Sequence, residues 1–178
     1  MILIGLGSNL SSGKYDHPRA VLVAALEKMA DCGIEIKSLS PFYQAEPVPK
    51  SDQPWFVNAV AAVKTDLSPS GLLQELHQIE ASLGRTRRTR WEARIIDLDI
   101  LAYDDQIIPS PGVWRAQAKN TQATAMMIPH PRMHERLFVL KPLMDICPDW
   151  THPLLGQTAA DFILVAERKS QQGAIERL

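Results

Sequence analysis

Asp97 and Asp99 stand one residue apart inside an otherwise apolar run, Ile95-Ile96-Asp97-Leu98-Asp99-Ile100-Leu101. On a β-strand, residues i and i+2 project from one face, so both carboxylates point the same way. Two carboxylates so placed repel each other and are poorly solvated unless a cation lies between them. A hard divalent ion such as Mg2+ takes oxygen ligands of this kind and leaves room for substrate phosphates. The same pair is also compatible with a solvated sheet face, or with pairing to arginines. Directly before it, Arg85, Arg87, Arg88, Arg90 and Arg94 place five of the chain's eleven arginines within ten residues. Guanidinium forks bind phosphate oxygens in pairs. Acidic metal ligands beside such a cluster suit a polyphosphate–Mg2+ complex. A nucleic-acid patch or a solvated loop is the plainer alternative.

Other side chains suit a planar ligand. Trp91 lies within the arginine stretch, and Trp55-Phe56 opens a strand after a proline-rich loop. Aromatic rings near a phosphate site can stack on a heterocycle, or can simply pack in a core. Asn58 shares a strand face with Phe56, and its amide offers both a donor and an acceptor to a ring edge. His130 is held between Pro129 and Pro131, where a phosphate contact and a surface position are both open. Gly5-x-Gly7 lacks the third glycine of a dinucleotide fingerprint, and no phosphate-binding P-loop is present. No Gly-x-Ser-x-Gly or Cys/His pairing supports a covalent nucleophile.

These residues need elements to hold them. Ile2 to Leu6 reads as a buried strand ended by Gly7, Ser8 and Asn9. Leu22, Ala25, Leu26 and Met29 mark a helix, with Pro18 in its first turn and Gly33 beyond its end. Ile34 to Tyr43 and Trp55 to Thr65 read as strands, and Pro47, Pro49 and Pro54 stiffen the loop between them. Ser68 caps a second helix, along which lie Leu72, Leu73, Leu76, Ile79, Glu80 and Leu83; Gly84 stops it. Ile95 to Tyr103 is the next strand. Residues 104–127 read as one long aperiodic loop, Pro129 to Cys147 as helical turns broken by Pro142, and Thr158 to Arg168 as a last helix. The order βαββαβ is the split, ferredoxin-like pattern, so the expected fold is α+β: an antiparallel-rich sheet with helices on its faces.

Composition narrows the classes. At 178 residues the expectation is a single domain over 1–178, large enough to bury its own core without a disulfide or structural metal. Nineteen basic against twenty acidic residues give a net charge of -1, so no global field draws the chain to nucleic acid or membrane. Cys32 and Cys147 lack metal-ligand or disulfide spacing and read as small buried apolar residues. No signal peptide or membrane span is visible, and a cytoplasmic location is expected.

Taken in order, the motifs Gly5-Leu6-Gly7-Ser8-Asn9-Leu10, Glu46-Pro47-Val48, Asp52-Gln53-Pro54-x-Phe56-x-Asn58, Leu83-Gly84-Arg85-x-Arg87, Arg90-Trp91, Arg94-x-x-Asp97-Leu98-Asp99-Ile100-Leu101, Ile128-Pro129-His130-Pro131-Arg132 and Arg136-x-Phe138-Val139-Leu140-x-Pro142-Leu143 resemble the 6-hydroxymethyl-7,8-dihydropterin pyrophosphokinase family. The resemblance runs from Leu3 to about Pro153. It implies transfer of the β,γ-pyrophosphoryl group of ATP to the pterin hydroxymethyl oxygen, with release of AMP, in folate biosynthesis. By position it makes Asp97 and Asp99 the ligands of two Mg2+ ions, and Arg85 and Arg94 the catalytic arginines. His77, Glu80, Arg87, Arg94, Ile100, His130 and Arg136 match ATP-contacting positions, His77 with a less usual side chain. Phe56 and Phe138 match the aromatic plates around the pterin. Asn58, with backbone near Ala45 and Val48, would read its edge, and Trp91 would close over it. The partners implied are these two small molecules, with no nucleic acid, no membrane and a monomeric chain.

Three places depart from the family pattern. Glu92-Ala93 stand where Gly-Pro is usual, Pro49 replaces a glycine, and the loop after Tyr103 is about a dozen residues longer than expected. Two rival readings follow from the residues. A non-catalytic pterin- or nucleotide-binding paralogue would bind without turnover. An RNA-binding module using Arg85–Arg94 with Trp91 would show steeply salt-dependent affinity and no need for Mg2+.

Overall fold

A computed structural model of the chain describes residues 1–11, 13–84, 95–120, 125–168 and 173–178. The elements run β1 (Ile2–Ser8), α1 (Pro18–Asp31), β2 (Glu35–Leu39), β3 (Tyr43–Ala45), β4 (Phe56–Lys64), α2 (Pro69–Ser82), β5 (Asp97–Tyr103), α3 (Pro111–Gln117), a 3-10 turn (Met133–Glu135), α4 (Leu137–Ile146), α5 (Ala159–Glu167) and β6 (Ile175–Arg177). The sheet has the order β5-β1-β4-β3-β6, with β2 also pairing to β4, and every pairing is antiparallel. The expected α+β class and its βαββαβ core are present.

Alternation along β4 sorts the two faces of the sheet. Ala59, Ala61 and Val63 join Ile4, Leu6, Leu98 and Ile100 in a core closed by α1 and α2. Val60 and Ala62 join Leu3 and Leu101 in a second core, closed by α4 and α5. The helix ends follow the residues expected to set them. Ser68 Oγ accepts the Gly71 N–H at 3.2 Å, and Gly33 and Gly84, just past α1 and α2, adopt φ of +76° and +95°, where a side chain would be strained.

Four expectations need correction. The strand read over Ile34–Tyr43 is two strands, β2 and β3, pairing with successive halves of β4. Buried Ser40 interrupts it: its N–H bonds Val60 O at 2.9 Å and its Oγ takes the Val60 N–H at 3.0 Å, before Pro41, which has no N–H to offer. The stretch 104–127 is not all loop, since Ser110 caps α3 and Trp114 buries it. Helix α4 runs through Pro142 unbroken, because Leu137, Val139, Leu140, Pro142 and Leu143 are all buried and outweigh one missing hydrogen bond. Cys32 is exposed at the end of α1, whereas Cys147 is buried as expected. Strand β6, unforeseen, adds to the outer edge of β3. Among the described residues no helix is long and apolar enough to cross a membrane.

His152 is fully buried in the second core, ringed by Trp114, His134, Trp150 and Phe162 at centroid distances of 5.6, 6.1, 5.8 and 6.0 Å. Its Nδ1 accepts the N–H groups of Leu154 and Leu155. Burial, aided by facing His134, pushes its pKa down to about 4. The unfolded chain therefore takes up a proton near pH 6.5 that the folded chain refuses until about 4. This contribution to stability is complete above pH 6.5 and is lost as pH falls through that window. Thermal midpoints measured from pH 7 to 4 should fall. The fall should be smaller in His152→Asn, whose amide oxygen stands where Nδ1 does.

Candidate functional site

The face of the sheet that carries the second core changes character along its length. Leu3, Leu101, Val60 and Ala62 are apolar and lie under α4 and α5. Further along the same strands the same face carries Gly5 and Gly7 of β1, Asp99 and Asp97 of β5, and Asn58 of β4. Register fixes the arrangement: Gly7 lies between Asp97 and Asn58, and Gly5 between Asp99 and Val60. Directly opposed residues of an antiparallel pair share a face. Asp97 and Asp99 are half-buried, while Ile96, Leu98 and Ile100 between and around them are buried on the other side. The two carboxylates thus share one face, as their spacing predicts.

The two glycines keep this floor low. A Cβ on Gly7 would sit 3.2 Å from Asn58 Oδ1, and one on Gly5 would sit 3.2 Å from Leu101 Cδ2. In the sequence, Gly5-x-Gly7 shows as a strand end, as a fingerprint lacking its third glycine and as part of a family motif, none of which places it beside the carboxylates. The usable signal was two glycines at strand spacing opposite two carboxylates. Ser8 and Asn9 then tie the strand end to its surroundings. Ser8 Oγ donates to Ile95 O at 2.6 Å, and Asn9 Nδ2 donates to Gln53 Oε1 and Pro54 O, each at 3.2 Å.

Among the described residues strand β5 pairs with β1 on one side only, and polar groups serve its other edge. Glu80, 2 % exposed on α2, accepts the Leu98 N–H at 2.8 Å. The His130 N–H donates to Leu101 O at 2.8 Å, and His130 Nδ1 accepts the Arg132 N–H at 3.2 Å. With Nδ1 so used, the neutral ring carries its proton on Nε2. Burial and the nearby Arg136 hold the His130 pKa down to about 3, with Asp97 opposing them and Arg132 adding to them. His130 therefore offers a neutral N–H donor near the carboxylate pair, not the surface position left open by its sequence. Ile100 packs its side chain in the core at 6 % exposure, so only its backbone can meet a ligand. His77 lies on the outer side of α2, in an open groove of about 460 Å³ lined also by Leu73, Gln74 and Met126.

On the far side of the floor, Phe56 and Ala45 form a cross-strand pair, and Tyr43 pairs with Asn58. Asn58 is buried, with its Nδ2 3.5 Å from Phe56 O. Val48 is half-buried in the loop that follows β3. Phe138, in the first turn of α4, packs on the second core, and the Arg136 guanidinium sits over its ring at 5.5 Å. Arg85, Arg87, Arg88, Arg90, Trp91 and Arg94, with the Glu92-Ala93 departure, lie outside the described residues.

Among the described residues, no group of three or more His, Cys, Asp or Glu side chains could hold a metal. Asp97 and Asp99 alone supply an incomplete shell of hard oxygens. That donor set fits Mg2+, which keeps several waters and shares its shell with substrate phosphates, and does not fit a closed structural site.

Fold and site together define an α+β domain whose sheet face presents paired carboxylates, a neutral imidazole donor and flanking aromatic rings. The family model described as 7,8-dihydro-6-hydroxymethylpterin-pyrophosphokinase matches residues 3–148, and the chain belongs to that family. It is 40 % identical over 151 residues to the 2-amino-4-hydroxy-6-hydroxymethyldihydropteridine pyrophosphokinase of Haemophilus influenzae, covering 84 % of this chain and 83 % of that one. The enzyme of the same name from Methylorubrum extorquens is 40 % identical over 147 residues, covering 82 % of each. The folic acid synthesis protein fol1 of Pneumocystis carinii is 41 % identical over 162 residues; the chain covers 19 % of its length and 90 % of its own. The fold matches the wild-type HPPK-DHPS of Plasmodium falciparum with pteroate at a TM-score of 0.68 and 16 % identity, over 99 % of this chain and 47 % of that one.

Proposed function

We propose that this chain transfers the terminal pyrophosphoryl group of ATP to the hydroxymethyl oxygen of 6-hydroxymethyl-7,8-dihydropterin, giving the pterin diphosphate and AMP. Membership of the pyrophosphokinase family supports the reaction. The observation that carries the site is the half-buried pair Asp97 and Asp99 on a glycine-cleared face, beside the Nε2–H donor of His130.

The substrate alcohol is itself the nucleophile, so the protein's task is alignment and charge neutralisation. Asp97 and Asp99 would hold Mg2+, two ions by analogy with the family, each carboxylate donating hard oxygens from one strand face. When bound, the metal neutralises phosphate oxygens and draws charge from the transferred group. His130 donates its Nε2–H to a phosphate oxygen without adding a proton that could be lost at neutral pH. Arg136 supports it, and Arg85, Arg87 and Arg94 stabilise the charge that develops on the group in flight. The adenine end of ATP lies toward the groove of Leu73, His77 and Met126, with Glu80 and the Ile100 backbone along the β5 edge. The pterin stacks between Phe56 and Phe138. Its polar edge meets the Asn58 amide and the backbone at Ala45 and Val48, and Trp91 covers it.

The test is direct. With ATP, the dihydropterin and Mg2+, AMP and pterin diphosphate should appear in equal amounts with no ADP. Pterin binding without AMP would mean a non-catalytic paralogue. Phe138→Ala should raise KM for the pterin about tenfold, the worth of one aromatic contact, and change kcat little. An equal loss in kcat would place Phe138 in the chemical step instead.

A further inference from the structure

The insertion between β5 and the His130 turn is tied to that turn at two points. Ile108 and Ile128 exchange backbone hydrogen bonds, Ile108 N to Ile128 O at 2.8 Å and Ile128 N to Ile108 O at 3.1 Å. Further on, Trp114 of α3 is 2 % exposed and donates its indole Nε1–H to Pro129 O at 2.7 Å. Pro129 is the residue immediately before His130. The indole is itself fixed, edge-on to His152 at 5.6 Å and tilted against His134 at 6.4 Å, with Ser110 Oγ capping the helix that carries it. The turn is therefore clamped from both sides, to Leu101 of β5 by the His130 N–H and to α3 by the Pro129 carbonyl.

We infer that Trp114 is a positioning residue for His130: through the Pro129 carbonyl it fixes the backbone that aims the imidazole at the ATP phosphates. His130 has one N–H to offer, because its Nδ1 already accepts the Arg132 N–H. The direction of that donor is set by the turn, and a group that must meet phosphate within a narrow geometry depends on packing and hydrogen bonds behind it. Ile108 and Trp114, in a stretch after Tyr103 longer than the family pattern leads one to expect, thus work for the site as a brace. This inference rests on the reading of His130 as an ATP contact.

Trp114→Phe keeps a ring against His152 and His134 but removes the donor. It should raise KM for ATP about fivefold, with KM for the pterin unchanged and kcat within about twofold. In a His130→Ala background the same substitution should change KM for ATP by less than about twofold, since the group being aimed is gone. Replacing Trp114 by benzothienylalanine, which keeps the bicyclic shape and lacks the N–H, gives the same test in a fully packed protein. An equal rise in both backgrounds, or none in the otherwise native enzyme, overturns the brace and leaves the ATP reading of His130 standing. If His130→Ala itself leaves KM for ATP unchanged, that reading falls and the brace with it.

Discussion

Asp97→Ala should lower kcat about a thousandfold while leaving the fold and thermal midpoint intact, and Asp99→Ala should do the same. On the proposed reading each carboxylate would supply a share of a metal shell worth several kcal/mol of charge stabilisation in the transition state, and about 4 kcal/mol corresponds to three decades in rate. The structural cost is small because both side chains are half-exposed at the surface of the sheet face rather than inside either core. Removing one of two like charges that share a face also relieves repulsion, which offsets the favourable contacts the carboxylate loses. Single-turnover AMP formation alongside thermal melts checks both halves. A near-native rate in either variant would remove the pair from the chemistry.

Glu80→Ala should be costly in the opposite way, through stability. Glu80 is buried and accepts the Leu98 N–H at 2.8 Å, on the edge of β5 that no strand covers among the described residues. Truncation leaves that amide without its acceptor and opens a void at a buried position. A lost buried acceptor costs about 1–3 kcal/mol and a cavity adds to it. A total near 3 kcal/mol would lower the midpoint by roughly 9 °C in a chain of this size. Because Leu98 lies between Asp97 and Asp99, the rate should fall as well. Glu80→Gln keeps the acceptor oxygen and should recover most of the stability. An alanine variant as stable as the parent would show that the strand edge does not depend on this carboxylate.

The parts of the site that obey a period were legible in the sequence. A spacing of two in an apolar run is enough to place Asp97 and Asp99 on one face, and Ser68 before Pro69 is enough to start α2. What escaped was local substitution of one interaction for another. Ser40 replaces a rung of the ladder with its own hydroxyl, and so splits a stretch that opens with apolar alternation and reads as one strand. Helix α3 is seven residues long with one buried anchor, Trp114, too little for any periodicity to register. Pro142 survives inside α4 because burial along the helix exceeds the loss of a single bond, a balance set by tertiary packing. The expectation that His130 and Glu80 meet ATP rests on resemblance to a family. Their hydrogen bonds to Arg132, Leu101 and Leu98 join segments distant in sequence, which no spacing rule reaches.

Strand β3 owes its outer partner to the far end of the chain. Tyr43, Gln44 and Ala45 pair with Arg177, Glu176 and Ile175, and the Glu46 backbone and carboxylate both bond Ala174. Closing so long a loop costs chain entropy before any contact repays it, and pairings of high sequence separation form late. During refolding the β3 edge stays bare until Ile175–Arg177 docks, and a bare edge is a template for a neighbouring molecule. Refolding yield should depend on protein concentration, and the stretch around Ala45 is where chains would first stick to one another.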